Sequence, residues 1–188
     1  MKRLNICVDI DGTITDPYCY LEYFNSYFDK KIKPTDFSHH RLDIVYEVTR
    51  DEMTRFYMEE GRRMHLEATV QPDAREILWE MYKNHNIYFV TARYKEMEGT
   101  TLEWIQLNQL PPARVYSLGS HYKVDAAKEL CCDVFLEDNP ENAQQLAENG
   151  INVLLVDTNY NQELQMNRVT RVHSWNEIKG LVDMMAER

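Results

Sequence analysis

The chain of 188 residues is 44% hydrophobic and 28% charged, close to the average of globular proteins, which excludes the disordered and fibrous classes. Its net charge of −10 and the lack of any lysine or arginine run longer than two disfavour binding to long nucleic acid. No stretch approaches the roughly 20 apolar residues that cross a bilayer, so no membrane association is expected. The four cysteines show neither disulfide-scaffold nor zinc spacing, which favours reduced thiols and a cytoplasmic location.

Short apolar segments rich in β-branched residues recur along the chain and predict strands. The first covers residues 4–10 and ends in an Asp-Gly turn. Similar segments lie at 86–90, 114–118, 133–136 and 152–156, with a weaker one at 169–172. From residue 73 onward the segments alternate with helical patterns, which predicts an α/β fold with a Rossmann-like parallel sheet covered by helices.

Sequence signals mark the ends of two helices in this alternating part. The helix at the carboxyl end of the chain begins with a capping box formed by Ser174 and Glu177. Another helix begins at Asn139, directly before a proline, and Gly150 suits its carboxyl end.

Residues 16–72 interrupt the alternation with a stretch that is rich in aromatic and charged residues and shows no convincing strand. Thr49 and Glu52 form another capping box and predict the start of a helix there. Two or three helices exceed what a single crossover needs, so we expect a small helical cap inserted after the first strand. The predicted organisation is a core of residues 1–15 and 73–188 with a cap of residues 16–72.

Carboxylates and a hydroxyl follow the ends of the predicted strands. Asp9 and Asp11 come after the first strand, and Thr91 comes after the second. Glu137 and Asp138 come after the strand that begins at residue 133. Ligands of open α/β sheets bind outside the carboxyl ends of the strands, so these side chains are expected to share one edge of the sheet.

A lysine is expected at the same edge, because Lys123 begins the helix that precedes the 133–136 strand; Lys128, slightly more than one turn later, is the alternative. Crowded carboxylates repel one another unless a cation neutralises them, and oxygen ligands favour a hard ion such as Mg²⁺. A metal, a free carboxylate, a hydroxyl and an ammonium group together suit phosphoryl transfer. The chain has no GxxxxGK[ST] loop for a nucleoside triphosphate, so transfer from a phosphomonoester to an aspartate and then to water is expected.

Because of these strand-end residues and their order, the sequence resembles the haloacid dehalogenase-like phosphatase superfamily over nearly its whole length. The four motifs of that superfamily match, in order, Asp9-Ile10-Asp11-Gly12-Thr13-Ile14, Thr91, Lys123 and Glu137-Asp138. The predicted cap also lies where the superfamily inserts a helical cap. The haloalkanoate dehalogenases of the superfamily lack an acid at the position of Asp11, so its presence favours phosphate chemistry.

The resemblance implies a role for each motif residue. Asp9 would be the nucleophile that forms an aspartyl-phosphate, and Asp11 would protonate the leaving alkoxide and then activate the hydrolytic water. The residues implied to bind phosphate are Gly12, Thr91, Ala92 and Lys123. Those implied to hold Mg²⁺ are the Asp9 carboxylate, the Asp11 backbone carbonyl, Asp138 and, through water, Glu137.

Within the superfamily, the sequence is most similar to the 5′(3′)-deoxyribonucleotidase branch and its bacterial relatives. This similarity is carried by the place and size of the cap, by Thr91-Ala92-Arg93 and by Glu137-Asp138-Asn139-Pro140-Glu141-Asn142. It implies a nucleoside monophosphate as the substrate. Arg93 would contact a substrate phosphate or carboxylate, or else form a surface salt bridge.

The aromatic residues of the predicted cap have two interpretations. Phe28, Phe37, Tyr46 and Tyr57 either stack against a base or form the core of the cap itself. Other functions also stay open at this point: a phosphatase of sugar phosphates or of nucleic-acid 3′ ends, the latter disfavoured by the negative charge, and a non-catalytic binding protein on the same fold.

Overall fold

Six strands make up the central sheet of the computed structural model, which describes residues 2–187. They are β1 (Asn5–Val8), β2 (Asn86–Thr91), β3 (Arg114–Ser117), β4 (Val134–Glu137), β5 (Asn152–Val156) and β6 (Val169–Val172). All neighbouring strands are parallel, and their order across the sheet is β3-β2-β1-β4-β5-β6. Each predicted segment overlaps one strand, although β2 and β4 extend one residue further than predicted, to Thr91 and Glu137. The predicted α/β fold with a parallel sheet is confirmed.

The first strand is shorter than predicted. It ends at Val8, because Asp9 and Ile10 already lead into a turn. In that turn the carbonyl of Ile10 accepts hydrogen bonds from the backbone N–H groups of Ile14 and Thr15, at 2.9 and 3.0 Å. The turn therefore carries the aspartates that follow β1 beyond the edge of the sheet.

Eight α-helices accompany the strands within residues 2–187. They are α1 (Leu21–Phe28), α2 (Leu42–Val45), α3 (Arg50–Glu67), α4 (Ala74–Asn84), α5 (Glu98–Leu107), α6 (Val124–Glu129), α7 (Pro140–Glu148) and α8 (Trp175–Ala186). Ser174 Oγ accepts from the Glu177 N–H at 3.2 Å, and Asn139 Oδ1 accepts from the Glu141 N–H at 2.9 Å. The capping box predicted at Ser174 is only half formed, because the Glu177 carboxylate accepts from the His173 N–H instead, at 2.8 Å. None of these helices is long and apolar enough to cross a membrane.

Both faces of the sheet are covered, which explains the continuous apolar character of β1. Side chains of a strand alternate between the two faces. Ile6 and Val8 belong to one buried cluster together with Ile77 of α4. Cys7 belongs to the other, with Ala143 of α7. The carboxyl end of β1 thus lies at the centre of a rigid sheet.

Residues 16–72, which we call the helical insertion, contain α1, α2 and α3, and most of one apolar cluster lies among them. At the base of the insertion an isolated antiparallel bridge joins Thr15 to Val70. The rings of Phe24 and Phe56 stack inside it with their centroids 4.2 Å apart. The buried members of this cluster are Leu21, Phe24, Phe37, Tyr46, Met53, Phe56 and Met64.

The third helix connects the insertion to the core. It begins with the predicted capping box, in which the Glu52 N–H donates to Thr49 Oγ1 at 3.3 Å. Just after the end of α3, the indole Nε1 of Trp104 in α5 donates to the carbonyl of Ala68 at 2.9 Å. The insertion is thereby held beside the loop that follows β2.

Candidate active site

A cavity of about 570 Å³ lies between the carboxyl ends of the strands and the helical insertion. Of the nine residues predicted to act in catalysis or to bind phosphate, substrate or metal, eight line it: Asp9, Asp11, Gly12, Ala92, Arg93, Lys123, Glu137 and Asp138. Thr91 lies fully buried at the end of β2, where its Oγ1 accepts a hydrogen bond from the Arg93 N–H at 3.2 Å. The predicted strand-end residues are therefore brought together at one edge of the sheet.

Lys123 joins two buried carboxylates at the floor of the cavity. Its Nζ lies 2.5 Å from Asp9 Oδ1 and 2.8 Å from Glu137 Oε2, and the lysine is only 2% exposed. Burial alone would lower the pKa of Lys123, but the two carboxylates raise it overall, so the ammonium group stays charged. Lys128 instead donates to Asn149 at the surface. The geometry therefore favours Lys123 over Lys128.

Glu137 is the more deeply enclosed of these two carboxylates. Besides Lys123, its oxygens accept hydrogen bonds from the backbone N–H groups of Asp138 and Asn139, at 3.3 and 3.0 Å. Its exposure is zero. Glu137 thus fixes the position of the ammonium group and of the turn that carries the next carboxylate.

Asp138 is a buried carboxylate without a cation beside it. Thr13 Oγ1 donates to its Oδ1 at 2.9 Å, and the hydroxyl of Tyr160 donates to its Oδ2. No lysine, arginine or histidine of residues 2–187 forms an ion pair with it. Burial and the charge of Glu137 raise the pKa of Asp138 to about 7. A bound cation would therefore favour the ionised form of this group.

The donor set fits a hard divalent cation. Carboxylate oxygens of Asp9, Glu137 and Asp138 all lie within 4.8 Å of one another. Three carboxylates face one ammonium group, so a bound cation would offset the two negative charges that remain when all three are ionised. Oxygen donors of this kind match the preference of Mg²⁺, although the same chemistry would suit related hard ions.

The side chain of Asp11 lies outside this acidic cluster and is held by Arg93. The guanidinium donates from Nε to Asp11 Oδ2 at 2.8 Å and from a terminal nitrogen to Oδ1 at 2.6 Å. Burial would raise the pKa of Asp11, but the charge of Arg93 lowers it overall, so the carboxylate is ionised in this arrangement. Of the two alternatives left open for Arg93, the surface salt bridge is wrong, because the arginine is 5% exposed and its pair is internal.

Two residues of the insertion, which the sequence analysis did not single out, also face Asp11. The hydroxyl of Tyr20 donates to Oδ1, and His65 Nδ1 lies 3.8 Å from the same oxygen. The two rings meet edge to face with centroids 5.9 Å apart. Burial and Arg93 lower the pKa of His65 to about 4, so the imidazole is neutral near pH 7. Helix periodicity gives no signal for such a long-range contact.

The four aromatic residues considered for base stacking fall into two groups. Phe37 and Tyr57 line the cavity. Tyr46 is fully buried and donates to Asn25, while Phe28 packs beside Phe24 in the cluster of the insertion. For Phe28 and Tyr46 the structural interpretation is therefore the correct one.

Gly12 occupies a position that only glycine suits. Its φ is +88°, and a Cβ built on it would lie 2.7 Å from Asp138 Cγ and 2.9 Å from the hydroxyl of Tyr160. We expect Gly12→Ala to lower the free energy of unfolding by about 1–3 kcal/mol, through backbone strain and the displaced carboxylate. Urea unfolding measures this loss. Gly180→Ala is the control, since nothing lies within 4 Å of that helical position; equal stability of the two variants would contradict the expected clash.

The fold is similar to that of solved haloacid dehalogenase-like hydrolases. A hydrolase of that family from Streptococcus pneumoniae has a TM-score of 0.72 and 16% identity, covering 96% of this chain and 98% of that one. One from Xanthomonas campestris has a TM-score of 0.66 and 12% identity, covering 99% and 97%. These similarities show the fold.

The chain belongs to the family described as "5′ nucleotidase, deoxy (Pyrimidine), cytosolic type C protein", whose model matches residues 3–188. It is also similar to a nucleotidase of Clostridium acetobutylicum, with 36% identity over 188 residues that cover 100% of this chain and 98% of that protein. The resemblance stated from the motifs is therefore confirmed. Membership assigns the chain to a family of phosphomonoester hydrolases.

Proposed function

We propose that this protein hydrolyses nucleoside monophosphates, preferably deoxyribonucleotides, in a Mg²⁺-dependent reaction that passes through a phosphoryl group on Asp9. The observation that carries the proposal is the placement of Asp9 beside Lys123, two residues before an independently held Asp11, at the floor of the cavity. A nucleophile, an ammonium group and a separate acid–base are thereby available to one bound phosphate.

In the first step a carboxylate oxygen of Asp9 attacks phosphorus, and the bond between phosphorus and the leaving oxygen breaks. Lys123 holds the attacking carboxylate and faces the negative charge of the phosphoryl oxygens. Asp11 gives its proton to the leaving alkoxide. Since Arg93 favours the ionised form of Asp11, this step requires the carboxyl group to turn away from Arg93 and carry a proton.

In the second step Asp11 accepts a proton from a water molecule, whose oxygen attacks phosphorus and releases inorganic phosphate from Asp9. The ion pair with Arg93 favours the ionised form of Asp11, which is the protonation state that this step needs. Asp9 and Asp138, with the backbone carbonyl of Asp11, would hold Mg²⁺, with Glu137 farther away. When bound, the ion neutralises these carboxylates and draws charge from the phosphoryl oxygens.

The cavity supports a nucleotide as the substrate. Its volume is in the range of small-molecule sites, about 300–1,000 Å³. The aromatic side chains of Phe37, Tyr57 and Tyr94 line its wall. One base stacked on such a ring gains roughly 1–3 kcal/mol, which a sugar phosphate cannot obtain. In this proposal residues 16–72 act as the cap that brings Phe37 and Tyr57 to the base.

A panel of phosphate esters tests the proposed function. With Mg²⁺ present, we expect phosphate release from deoxyribonucleoside monophosphates to exceed release from sugar phosphates by at least about fivefold, the equivalent of one base stacked at 1–3 kcal/mol. EDTA should abolish the release, and added Mg²⁺ should restore it. The Asp9→Asn variant, which lacks the proposed nucleophile, serves as the inactive control. The Lys128→Ala variant changes a surface lysine and should remain active.

The outcomes separate the parts of the proposal. Release from sugar phosphates alone would be consistent with the proposed mechanism but would contradict the proposal that the substrate is a nucleotide. Phosphate release that is unchanged by EDTA would contradict the proposed requirement for Mg²⁺. Mg²⁺ binding without release from any ester would favour the non-catalytic alternative.

A further inference from the structure

The loop after β5 contacts both the candidate metal site and the helical insertion. We call residues 157–162 the β5 loop. Its position at the carboxyl end of a strand next to β4 places it beside the acidic cluster. Only Tyr160 of this loop lines the cavity, and the proposed mechanism assigns it no role.

On the metal side, the β5 loop holds Asp138 at two points. The hydroxyl of Tyr160 donates to the carboxylate oxygen Oδ2, and Asn161 Nδ2 donates to the backbone carbonyl of Asp138 at 2.8 Å. Asn161 is 1% exposed, and Arg171 of β6 donates to its Oδ1 at 2.6 Å. The side of the loop that faces Asp138 is therefore anchored in the sheet.

On the insertion side, the same loop makes three contacts. The backbone N–H of Asn159 donates to the hydroxyl of Tyr18 at 2.9 Å, and its side-chain amide donates to the carbonyl of Pro34 at 2.7 Å. The ring of Tyr160 meets the ring of Phe37 edge to face, with the centroids 5.3 Å apart. One tyrosine thus contacts the insertion through its ring and Asp138 through its hydroxyl.

We propose that Tyr160 is a positioning residue that links the placement of the helical insertion to the orientation of Asp138 as a metal ligand. The inference rests on the metal part of the proposed function. Phe37 packs edge to face against the ring of Tyr160 and so restricts where the whole side chain can lie, which sets the position of its hydroxyl. A carboxylate oriented by its hydrogen-bond partner binds metal more tightly. Because linkage is reciprocal, bound metal also favours the docked insertion.

Two substitutions separate the contacts of Tyr160. Tyr160→Phe keeps the ring and removes the hydroxyl, whereas Phe37→Leu keeps an apolar side chain and removes the ring that holds Tyr160. Tyr82→Phe is the matched control, since Tyr82 lies in α4 and packs against the core of the sheet. Thermal unfolding of each variant confirms that it is folded before binding is measured.

The readouts are the Mg²⁺ dissociation constant by titration calorimetry and the rate of proteolysis within residues 16–72. We expect Tyr160→Phe to weaken Mg²⁺ binding about tenfold or more. Phe37→Leu should weaken it in the same direction by a smaller factor. Mg²⁺ should slow proteolysis of the insertion in the wild type and in Tyr82→Phe, but much less in Tyr160→Phe.

Wild-type Mg²⁺ affinity in either Tyr160→Phe or Phe37→Leu would overturn the coupling, as would equal Mg²⁺ protection in Tyr160→Phe and the wild type. If the wild-type protein binds no Mg²⁺, both the coupling and the proposed Mg²⁺ site are contradicted. A wild-type protein that binds Mg²⁺ but hydrolyses no ester would defeat the proposed function alone, because both readouts are independent of turnover.

Discussion

Asp9→Asn is expected to reduce phosphate release by at least about 10⁴-fold, the scale of loss seen when a catalytic nucleophile is removed. The amide is nearly isosteric with the carboxylate but does not attack phosphorus. Lys123 keeps its contact with Glu137 in this variant, so the buried ammonium group is still paired and the fold should survive. Release is measured with saturating Mg²⁺, and circular dichroism reports the fold.

The control for this experiment is Asp125→Asn, which changes an exposed aspartate in the first turn of α6. It alters the net charge by the same amount and should retain full activity. Turnover by Asp9→Asn within tenfold of the wild type would mean that another group attacks phosphorus. Loss of the fold in Asp9→Asn would instead mean that the carboxylate is needed to pair with Lys123.

Lys123→Met is expected to affect both stability and turnover. The substitution leaves Asp9 and Glu137 buried without the ammonium group that now lies 2.5 and 2.8 Å from them. Removing one partner of a buried ionic group costs about 3–5 kcal/mol, because the remaining charge is left uncompensated. Urea unfolding in the presence of EDTA measures the loss, since no metal then substitutes for the lysine.

Lys128→Met provides the comparison for Lys123→Met. Lys128 is exposed and its side chain donates to Asn149, so the change in stability should stay within about 0.5 kcal/mol. Activity should be unchanged in Lys128→Met and lost in Lys123→Met. The reverse pattern would contradict the assignment of the lysine, and equal stability of the two variants would contradict the account of the buried cluster.

The strand-end residues were predictable because they depend on local signals and on one topological rule. One apolar run stops near Asp9 and another stops at Glu137, and this change from apolar to acidic residues predicts where each strand ends. Parallel order then brings these ends to one edge, and the structure places them within contact of Lys123. The lysine itself was ambiguous, since helix periodicity alone does not distinguish it from Lys128.

The partners of Asp11 were not predictable in the same way. Arg93 is 82 positions away in sequence, and no local pattern shows that its guanidinium turns inward beside Trp104 rather than outward to solvent. Tyr20 and His65 reach Asp11 only because the insertion folds back over the sheet. Such pairings depend on tertiary packing, which the spacing of residues does not encode.

Tyr160 is a different case, because a signal for it existed. The strand 152–156 was predicted correctly, and the rule that ligands gather at strand ends applied to it as well. Tyr160 has no carboxylate, so a criterion based on acidic metal ligands does not select it. A search for hydrogen-bond donors that orient carboxylates would have included it.

Trapping the phosphoryl group on Asp9 tests the proposed mechanism most directly. In Asp11→Asn, attack by Asp9 on p-nitrophenyl phosphate needs little help from an acid, whereas hydrolysis of the phosphoryl group lacks its base. The mechanism predicts a burst of p-nitrophenol close to one equivalent of enzyme, and mass spectrometry of the quenched protein should place the phosphoryl group on Asp9. A phosphoryl group on another residue, or steady turnover by this variant with Asp9 unmodified, would contradict the mechanism.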